Sequence, residues 1–277
     1  MILRLCRALC AAVMLASPAA AEEPAPSLLD SLYGAAQMER HFLLFQESQL
    51  VMWEQTAARD FPDLVLPDWT GQAIAANGLD RIEADFTEGF LSSAFSETQM
   101  RQAIQGYGSD FGRYLQDLAF ETVALIGTAE GLDEAVQRAE AAGDPALDVI
   151  DTVLLARGSA GDALRFYREA RLAYYLALAE GGAPLPGGLD VAVLMARYDA
   201  EQPFGSEADM RASYRRFLLL FAEEMDDAAL LDWLEFATAD WSLSFDHAFQ
   251  TGVRRAYVAS AARMGQALAA HLNGGAD

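Results

Sequence analysis

Residues 28–52, LLDSLYGAAQMERHFLLFQESQLVM, carry the pattern that decides the fold class. Apolar side chains recur there at steps of three, four and seven residues, at Leu28, Leu32, Ala35, Phe42, Phe45 and Met52. This spacing places them on one face of an α-helix, and such a stripe needs a partner surface. The segment is therefore predicted to form one long first helix, which Phe61-Pro62 and Pro67 end.

Capping residues mark the starts of further helices. Ser96 with Gln99 has the spacing of a capping box, in which each side chain satisfies a free backbone amide. The other predicted starts are Asp68, Asp80 with Glu83, Asp144 before Pro145, and Ser206 with Asp209. Asn77-Gly78 is a predicted helix end, and residues 181–188 form the main loop. No run of alternating β-branched residues occurs, so we expect an all-α multi-helix bundle of roughly eight to ten helices.

Composition limits the classes of partner. The chain has 277 residues and a formal net charge of −22, and all of its 19 basic residues are arginine. Such a surface repels phosphate backbones and anionic headgroups, so nucleic-acid binding is not expected. The hydrophobic fraction of 53% is high enough to bury a core. Without lysine, the sequence has no phosphate-binding loop of the Walker type and no Schiff-base residue.

The first 21 residues have the order of a secretory signal. Arg4 and Arg7 precede an apolar run over residues 8–16, and small residues follow up to a predicted cleavage after Ala21. Both cysteines of the chain lie inside this segment. We expect a mature protein without disulfides, located in the periplasm or, alternatively, secreted. No later stretch has the length of a membrane span.

The mature chain, residues 22–277, is predicted as a single all-α domain. Residues 95–111 and 225–241 are similar at an offset of 130, because aromatic, capping and apolar positions coincide. Two halves, 22–143 and 144–277, are one interpretation. The other interpretation is that the two segments are unrelated and share only the sequence features common to helix-turn-helix units.

One stretch resembles a known family. Residues 94–113, AFSETQMRQAIQGYGSDFGR, contain a capped helix followed by the aromatic-x-Ser-x-x-Gly pattern at Tyr107, Ser109 and Gly112. This resembles domain-of-unknown-function family 2059, a group of exported helical proteins of proteobacteria. The second copy departs from it, since Ser242 replaces the glycine and both copies lack the family proline. The resemblance implies a periplasmic helical protein without assigned catalytic residues.

One stripe of the sequence is basic, although the chain as a whole is strongly acidic. It consists of Arg165, Arg168 and Arg171 with the interleaved Tyr167, Tyr174 and Tyr175, and Arg157 lies upstream. Guanidinium groups bind carboxylates and phosphates in bidentate fashion, so an anionic ligand or an acidic partner can dock there. The alternative is that these arginines pair with acidic neighbours inside the bundle.

Other chemistry-bearing residues have simpler interpretations. Asp240, Ser244 and His247 share a helix face, but a hydrolase triad needs the imidazole between the acid and the hydroxyl. The acidic run at residues 223–227 suits a helix start as well as a cation. His41 and His271 lack a second ligand one turn away, so no metal and no cofactor are expected.

These observations favour a non-enzymatic binding or interaction module of the cell envelope, acting on an envelope protein or a small ligand. Two alternatives remain. One is a carrier whose helices enclose an apolar cavity for a small lipid-like molecule. The other is a hydrolase that uses an isolated carboxylate such as Glu47, which would then be buried in a cleft with a raised pKa. No catalytic residue is assigned.

Overall fold

The computed structural model describes residues 27–64, 66–126, 132–201 and 206–274. The predicted signal peptide lies outside these ranges. The described chain forms 13 α-helices and no strand, and 86% of it is helical. The all-α multi-helix bundle is therefore confirmed. The helix count exceeds the prediction because sharp corners of one or two residues divide segments that the sequence pattern left continuous.

Thirteen helices follow one another along the chain. Seven of them precede residue 143, namely α1 Leu28–Ala35, α2 Met38–Asp60, α3 Leu66–Ala76, α4 Leu79–Leu91, α5 Glu97–Gly108, α6 Asp110–Ile126 and α7 Leu132–Ala142. The remaining six are α8 Pro145–Arg157, α9 Ser159–Glu180, α10 Val191–Glu201, α11 Glu207–Ala222, α12 Asp227–Thr238 and α13 Asp240–Gly274. A 3-10 turn, Pro186–Gly188, lies in the predicted loop between α9 and α10.

The prediction of one long first helix is wrong. The backbone breaks after α1, and Gln37 adopts a left-handed conformation with φ of 49° before α2 begins. The apolar period continues across the break because both helices face the same core. Leu32 on α1 and Met38 and Phe42 on α2 all belong to one buried cluster. The apolar stripe in the sequence therefore indicates that both helices pack against the same core. It does not indicate that they form one continuous helix.

Most predicted caps are confirmed. Ser96 and Gln99 form the reciprocal capping box, and Asp144 accepts a hydrogen bond from the Ala146 amide ahead of α8. Ser206 likewise caps α11. Two predicted caps lie inside their helices: α3 begins at Leu66, before Asp68, and Gly78 occupies the cap position of α4, which places Asp80 inside the first turn. A carboxylate there still stabilises the exposed amides of the helix start.

Helix boundaries repeat at the offset of 130 seen in the sequence. Helices α5 and α12 both have 12 residues, and their successors begin at Asp110 and Asp240. The order of lengths also recurs, with 23, 11, 13 and 12 residues for α2–α5 and 22, 11, 16 and 12 for α9–α12. The two sets do not form separate cores, because α13 packs against α3, α4 and α5 as well as α9. Division into halves at residue 143 stays a prediction.

Helix α13 is the central element, and glycines let its neighbours approach closely. A Cβ at Gly265 would lie 2.4 Å from the carbonyl oxygen of Tyr174 on α9. The contact between α9 and α13 is the most extensive of the bundle. Together with α2 and α10, these helices bury a core that contains Trp53, Tyr174 and Tyr257. That core positions the site described next.

Candidate ligand-binding site

The arginine stripe of α9 divides into paired and unpaired residues. Arg165 forms an exposed ion pair with Asp162, one turn earlier on the same helix. Arg168 holds Asp199 of α10 in bidentate fashion, with Nε to Oδ1 at 3.0 Å and Nη2 to Oδ2 at 3.1 Å. The internal pairing that the sequence left open therefore applies to both residues, and both carboxylate partners lie within the bundle.

Arg171 turns inward and is only 8% exposed. Its guanidinium carbon lies 5.0 Å from the ring centroid of Tyr198, 5.2 Å from Trp53 and 6.0 Å from Tyr175. Within the described part of the chain no carboxylate pairs with it, and its buried Nη1 has no hydrogen-bond acceptor. Cation–π contacts contribute about 0.5–2 kcal/mol each and offset part of the several kcal/mol that desolvating an unpaired guanidinium costs, but the ring faces give its N–H groups no strong hydrogen-bond acceptor.

Arg171 lines a cavity of about 560 Å³ between α2, α9, α10 and α13. This volume lies within the range of roughly 300–1,000 Å³ typical of small-molecule sites. Four tyrosines line it, Tyr167, Tyr175, Tyr198 and Tyr257. Apolar side chains complete the walls, among them Met52, Leu164, Leu189 and Leu194. The cavity therefore combines one buried cation with a mostly aromatic and aliphatic interior.

The tyrosine hydroxyls stay protonated, because burial raises the pKa of all four. The hydroxyl of Tyr175 donates to Oδ2 of Asp60 at 3.0 Å. The Tyr257 hydroxyl contacts the sulfur of Met52, a weak acceptor. The hydroxyls of Tyr167 and Tyr198 have no partner among the described residues. Two O–H donors therefore remain available to a bound molecule.

The other charged residues of the cavity are already paired. Arg59 contacts Asp60 at 3.0 Å, and Arg197 contacts Glu201 at 2.9 Å. Arg59, Arg197 and Glu201 are about half exposed and form the rim, whereas the Asp60 side chain is only 7% exposed. Three guanidinium groups thus face two carboxylates, and Arg171 is the cation left over.

The structure brings together only part of the predicted site. Arg171, Tyr167 and Tyr175 line the cavity, whereas Tyr174 is fully buried and stacks on Trp53 with the ring centroids 4.8 Å apart. No sequence pattern indicates Tyr198 of α10 or the contributions of α2 and α13, which come from residues distant along the chain. Arg157 lies elsewhere, 3.6 Å from Asp246.

Arg157 and Asp246 line a second cavity of about 360 Å³, with mostly aromatic walls. Burial raises the pKa of Asp246, which gives this acid the environment that the hydrolase alternative required. No second carboxylate lines the cavity, whereas glycoside hydrolysis uses a pair. Burial also lowers the pKa of His41 in the same cavity to about 4, beside the rings of Phe120 and Phe249.

The remaining candidates have structural roles. Ser244 accepts a hydrogen bond from Gln99 Nε2 at 2.7 Å, and no bond joins it to His247. Asp226 caps α12 by accepting from the Ala229 amide at 2.9 Å, as the helix-start interpretation of the acidic run predicts. Glu47 is exposed on α2. Among the described residues no cluster of three or more potential ligands could hold a metal.

Comparisons with family profiles, with curated proteins and with solved structures gave no match. The resemblance of residues 94–113 to family 2059 therefore stays a prediction. Along the described helices no stretch is both long and apolar enough to cross a membrane. The cavity around Arg171 is therefore the feature of the chain that indicates a function.

Proposed function

We propose that this protein is a carrier of a small molecule and holds its ligand in the cavity between α2, α9, α10 and α13. The main support for this proposal is the cavity itself, which has a volume of about 560 Å³ and aromatic and aliphatic walls. Ligand sites of globular proteins share this construction, in which apolar walls supply affinity and a few polar groups supply orientation.

The arrangement of α9 supports a carrier over a protein-docking module. A docking surface on the arginine stripe would present Arg165 and Arg168 with free guanidinium groups, but both have carboxylate partners. The aromatic members of the stripe face inward, where Tyr175 is only 2% exposed. The binding capacity of the helix therefore lies inside the bundle.

The same geometry disfavours the hydrolase alternative. Asp60, the buried carboxylate of the cavity, accepts a hydrogen bond from Tyr175 and pairs with Arg59. Arg59 contacts one oxygen of this carboxylate and Tyr175 the other, so both oxygens already have partners inside the protein. We place the carrier in the periplasm, because residues 1–21 have the order of a secretory signal.

Native mass spectrometry of the mature protein, isolated from its own periplasm, tests the proposal. Wild-type protein is expected to carry a bound small molecule. Leu164→Trp, which fills the cavity from α9, should emerge bare. Leu155→Trp is the matched control, because Leu155 is 70% exposed on α8 and does not line the cavity, and this variant should retain the ligand.

A bare wild-type protein would contradict the proposal. A reproducible protein crosslink in a parallel sample would then support the envelope interaction module that the sequence first suggested.

A further inference from the structure

We infer that the ligand is an amphiphilic monocarboxylate whose acid group is bound by Arg171 and whose apolar body fills the tyrosine-lined cavity. This inference rests on the proposed function and names its ligand class. Three properties of the cavity carry it: the environment of the guanidinium group, the balance of charge and the chemistry of the walls.

The guanidinium group of Arg171 is held by rings and not by acceptors. Trp53 and Tyr198 contact it at 5.2 and 5.0 Å from their centroids, and aromatic faces accept no strong hydrogen bond from its N–H groups. The buried Nη1 is without an acceptor among the described residues. A planar fork of this kind matches the two oxygens of a carboxylate.

Arg263 shows how this chain treats a buried arginine with a structural role. Its Nη1 pairs with Asp85 at 2.6 Å, and its Nε donates to Asn77 Oδ1 at 3.1 Å. Arg263 and Asp85 are similarly buried, with side-chain exposures of 19% and 20%. Arg263 thus has a carboxylate and an amide oxygen as acceptors, although its own Nη2 has none, whereas no side chain among the described residues accepts from Arg171.

The charge balance favours a ligand with one negative charge. Asp60 and Glu201 lie in the same cavity, and each has its own arginine. A monocarboxylate neutralises Arg171, and the protonated hydroxyls of Tyr167 and Tyr198 can donate to it. A dianion such as inorganic phosphate or a phosphate monoester would bring a second charge towards the two carboxylates, and among the described residues no unpaired cation besides Arg171 lines the cavity to meet that charge.

The walls define the rest of the ligand. Met52, Leu164, Leu189 and Leu194 offer aliphatic contacts, and the tyrosine rings offer faces on which a flat body can stack. Both a fatty acid and an aromatic acid present the shared chemistry of one carboxylate on an apolar body. The experiment therefore includes a probe of each type.

Isothermal titration calorimetry of the full mature protein tests the inference with two pairs of probes, each an acid and its neutral analogue. The pairs are decanoate with decan-1-ol and 2-naphthoate with 2-naphthol. For at least one pair, the acid should bind wild-type protein about 10-fold or more tightly than its neutral analogue. Arg171→Gln should remove this preference, and Arg171→Lys should retain part of it. Arg168→Gln, on the same helix but already paired, should keep the full preference. Inorganic phosphate should not compete.

The outcomes separate this inference from the function on which it rests. If the neutral analogues bind wild-type protein as tightly as the acids, the carboxylate assignment is wrong while the carrier stands. The same holds if Arg171→Gln keeps the preference for the acid. If none of the four probes binds, the ligand class is wrong, and native mass spectrometry of the protein from its own periplasm then decides whether the carrier stands. If Leu164→Trp binds the probes unchanged, they bind outside the cavity and the ligand assignment is wrong too. Should Arg171→Gln fail to fold, Arg171→Lys and the neutral analogues still decide the question.

Discussion

The guanidinium carbon of Arg171 on α9 lies 5.0 Å from the ring centroid of Tyr198 on α10. This contact joins the two helices across the cavity, and the bidentate pair of Arg168 with Asp199 joins them at the surface. Among the helix pairs with substantial contact, α10 packs against α9 alone. The wall that α10 provides is therefore held mainly by these two arginines and by apolar packing on one neighbour.

Because it has this single main neighbour, α10 is expected to open before the rest of the bundle. Amide hydrogens of α10 should exchange faster than those of α13, and saturating decanoate should slow exchange in α10 selectively. Hydrogen exchange followed by mass spectrometry measures both effects. Protection of α10 equal to that of α13 in the free protein would contradict this order of stability.

Replacing Arg171 with Met should leave the free protein as stable as wild type or more stable. The change removes a buried charge that has no carboxylate partner among the described residues, and an apolar side chain of similar volume avoids the cost of desolvating that charge. Arg263→Met is the matched control, because it leaves the carboxylate of Asp85 without its partner. This variant should lower the free energy of unfolding by about 3–5 kcal/mol. Urea unfolding gives both free energies. A loss above about 2 kcal/mol in Arg171→Met would show that the guanidinium serves folding.

Stability should depend on the protonation of His41. Burial and the neighbouring charge of Arg40 lower the pKa of this residue to about 4, below its ordinary value of 6.5. The unfolded chain therefore binds a proton at higher pH than the folded chain. The contribution of His41 to the free energy of unfolding falls as pH drops from about 6.5 towards 4, by at most about 3 kcal/mol.

His41→Phe isolates this effect by removing the titrating group. Its free energy of unfolding should decline less between pH 6.5 and 4 than that of wild type. Asp246 contributes with the opposite sign, because burial raises its pKa, so the comparison is made between the two proteins and not on either curve alone. Parallel curves for wild type and variant would contradict the assignment.

The close approach of α9 and α13 should make Gly265 intolerant of substitution. A Cβ there would lie 2.4 Å from the Tyr174 carbonyl oxygen and 2.9 Å from the Ala177 Cβ. Gly265→Ala should therefore cost about 1–3 kcal/mol. Gly34→Ala on α1, where a Cβ would meet no atom within 4 Å, should be neutral or slightly stabilising. Thermal unfolding of the two variants checks the contrast, and equal effects would contradict the packing argument.

The sequence predicts the fold class and several helix ends well, because caps and apolar periods act locally. Ser96, Asp144 and Ser206 each satisfy amides only a few residues away. The break at Gln37 gives no such signal, since a glutamine with positive φ is specified by its tertiary surroundings. Corners of one residue, as at Ser109, likewise leave the apolar pattern continuous.

The site was predictable only along one helix. Three residues advance a helix by about 300°, so Arg165, Arg168 and Arg171 drift around α9 by about 60° at each step. Arg165 therefore faces solvent while Arg171 faces the core, although the spacing looks uniform in the sequence. The pairing of each arginine with a carboxylate depends on the side chains that neighbouring helices such as α2 and α10 place beside it. No local sequence pattern predicts that these helices pack against α9.

Whether Arg171 binds the acid group is measured by NMR on carbon-13-carboxyl-labelled decanoate or 2-naphthoate, whichever binds wild-type protein more tightly, with the carboxyl resonance followed from pH 7 to pH 5. An acid paired with Arg171 should give a distinct bound resonance that stays at the ionised position throughout, because the guanidinium lowers its pKa. Arg168→Gln should give the same result, whereas any bound resonance in Arg171→Gln should move towards the protonated position as the pH falls. A bound resonance that stays at the ionised position in Arg171→Gln, or one that titrates like the free acid in wild type, would show that Arg171 does not bind the acid group.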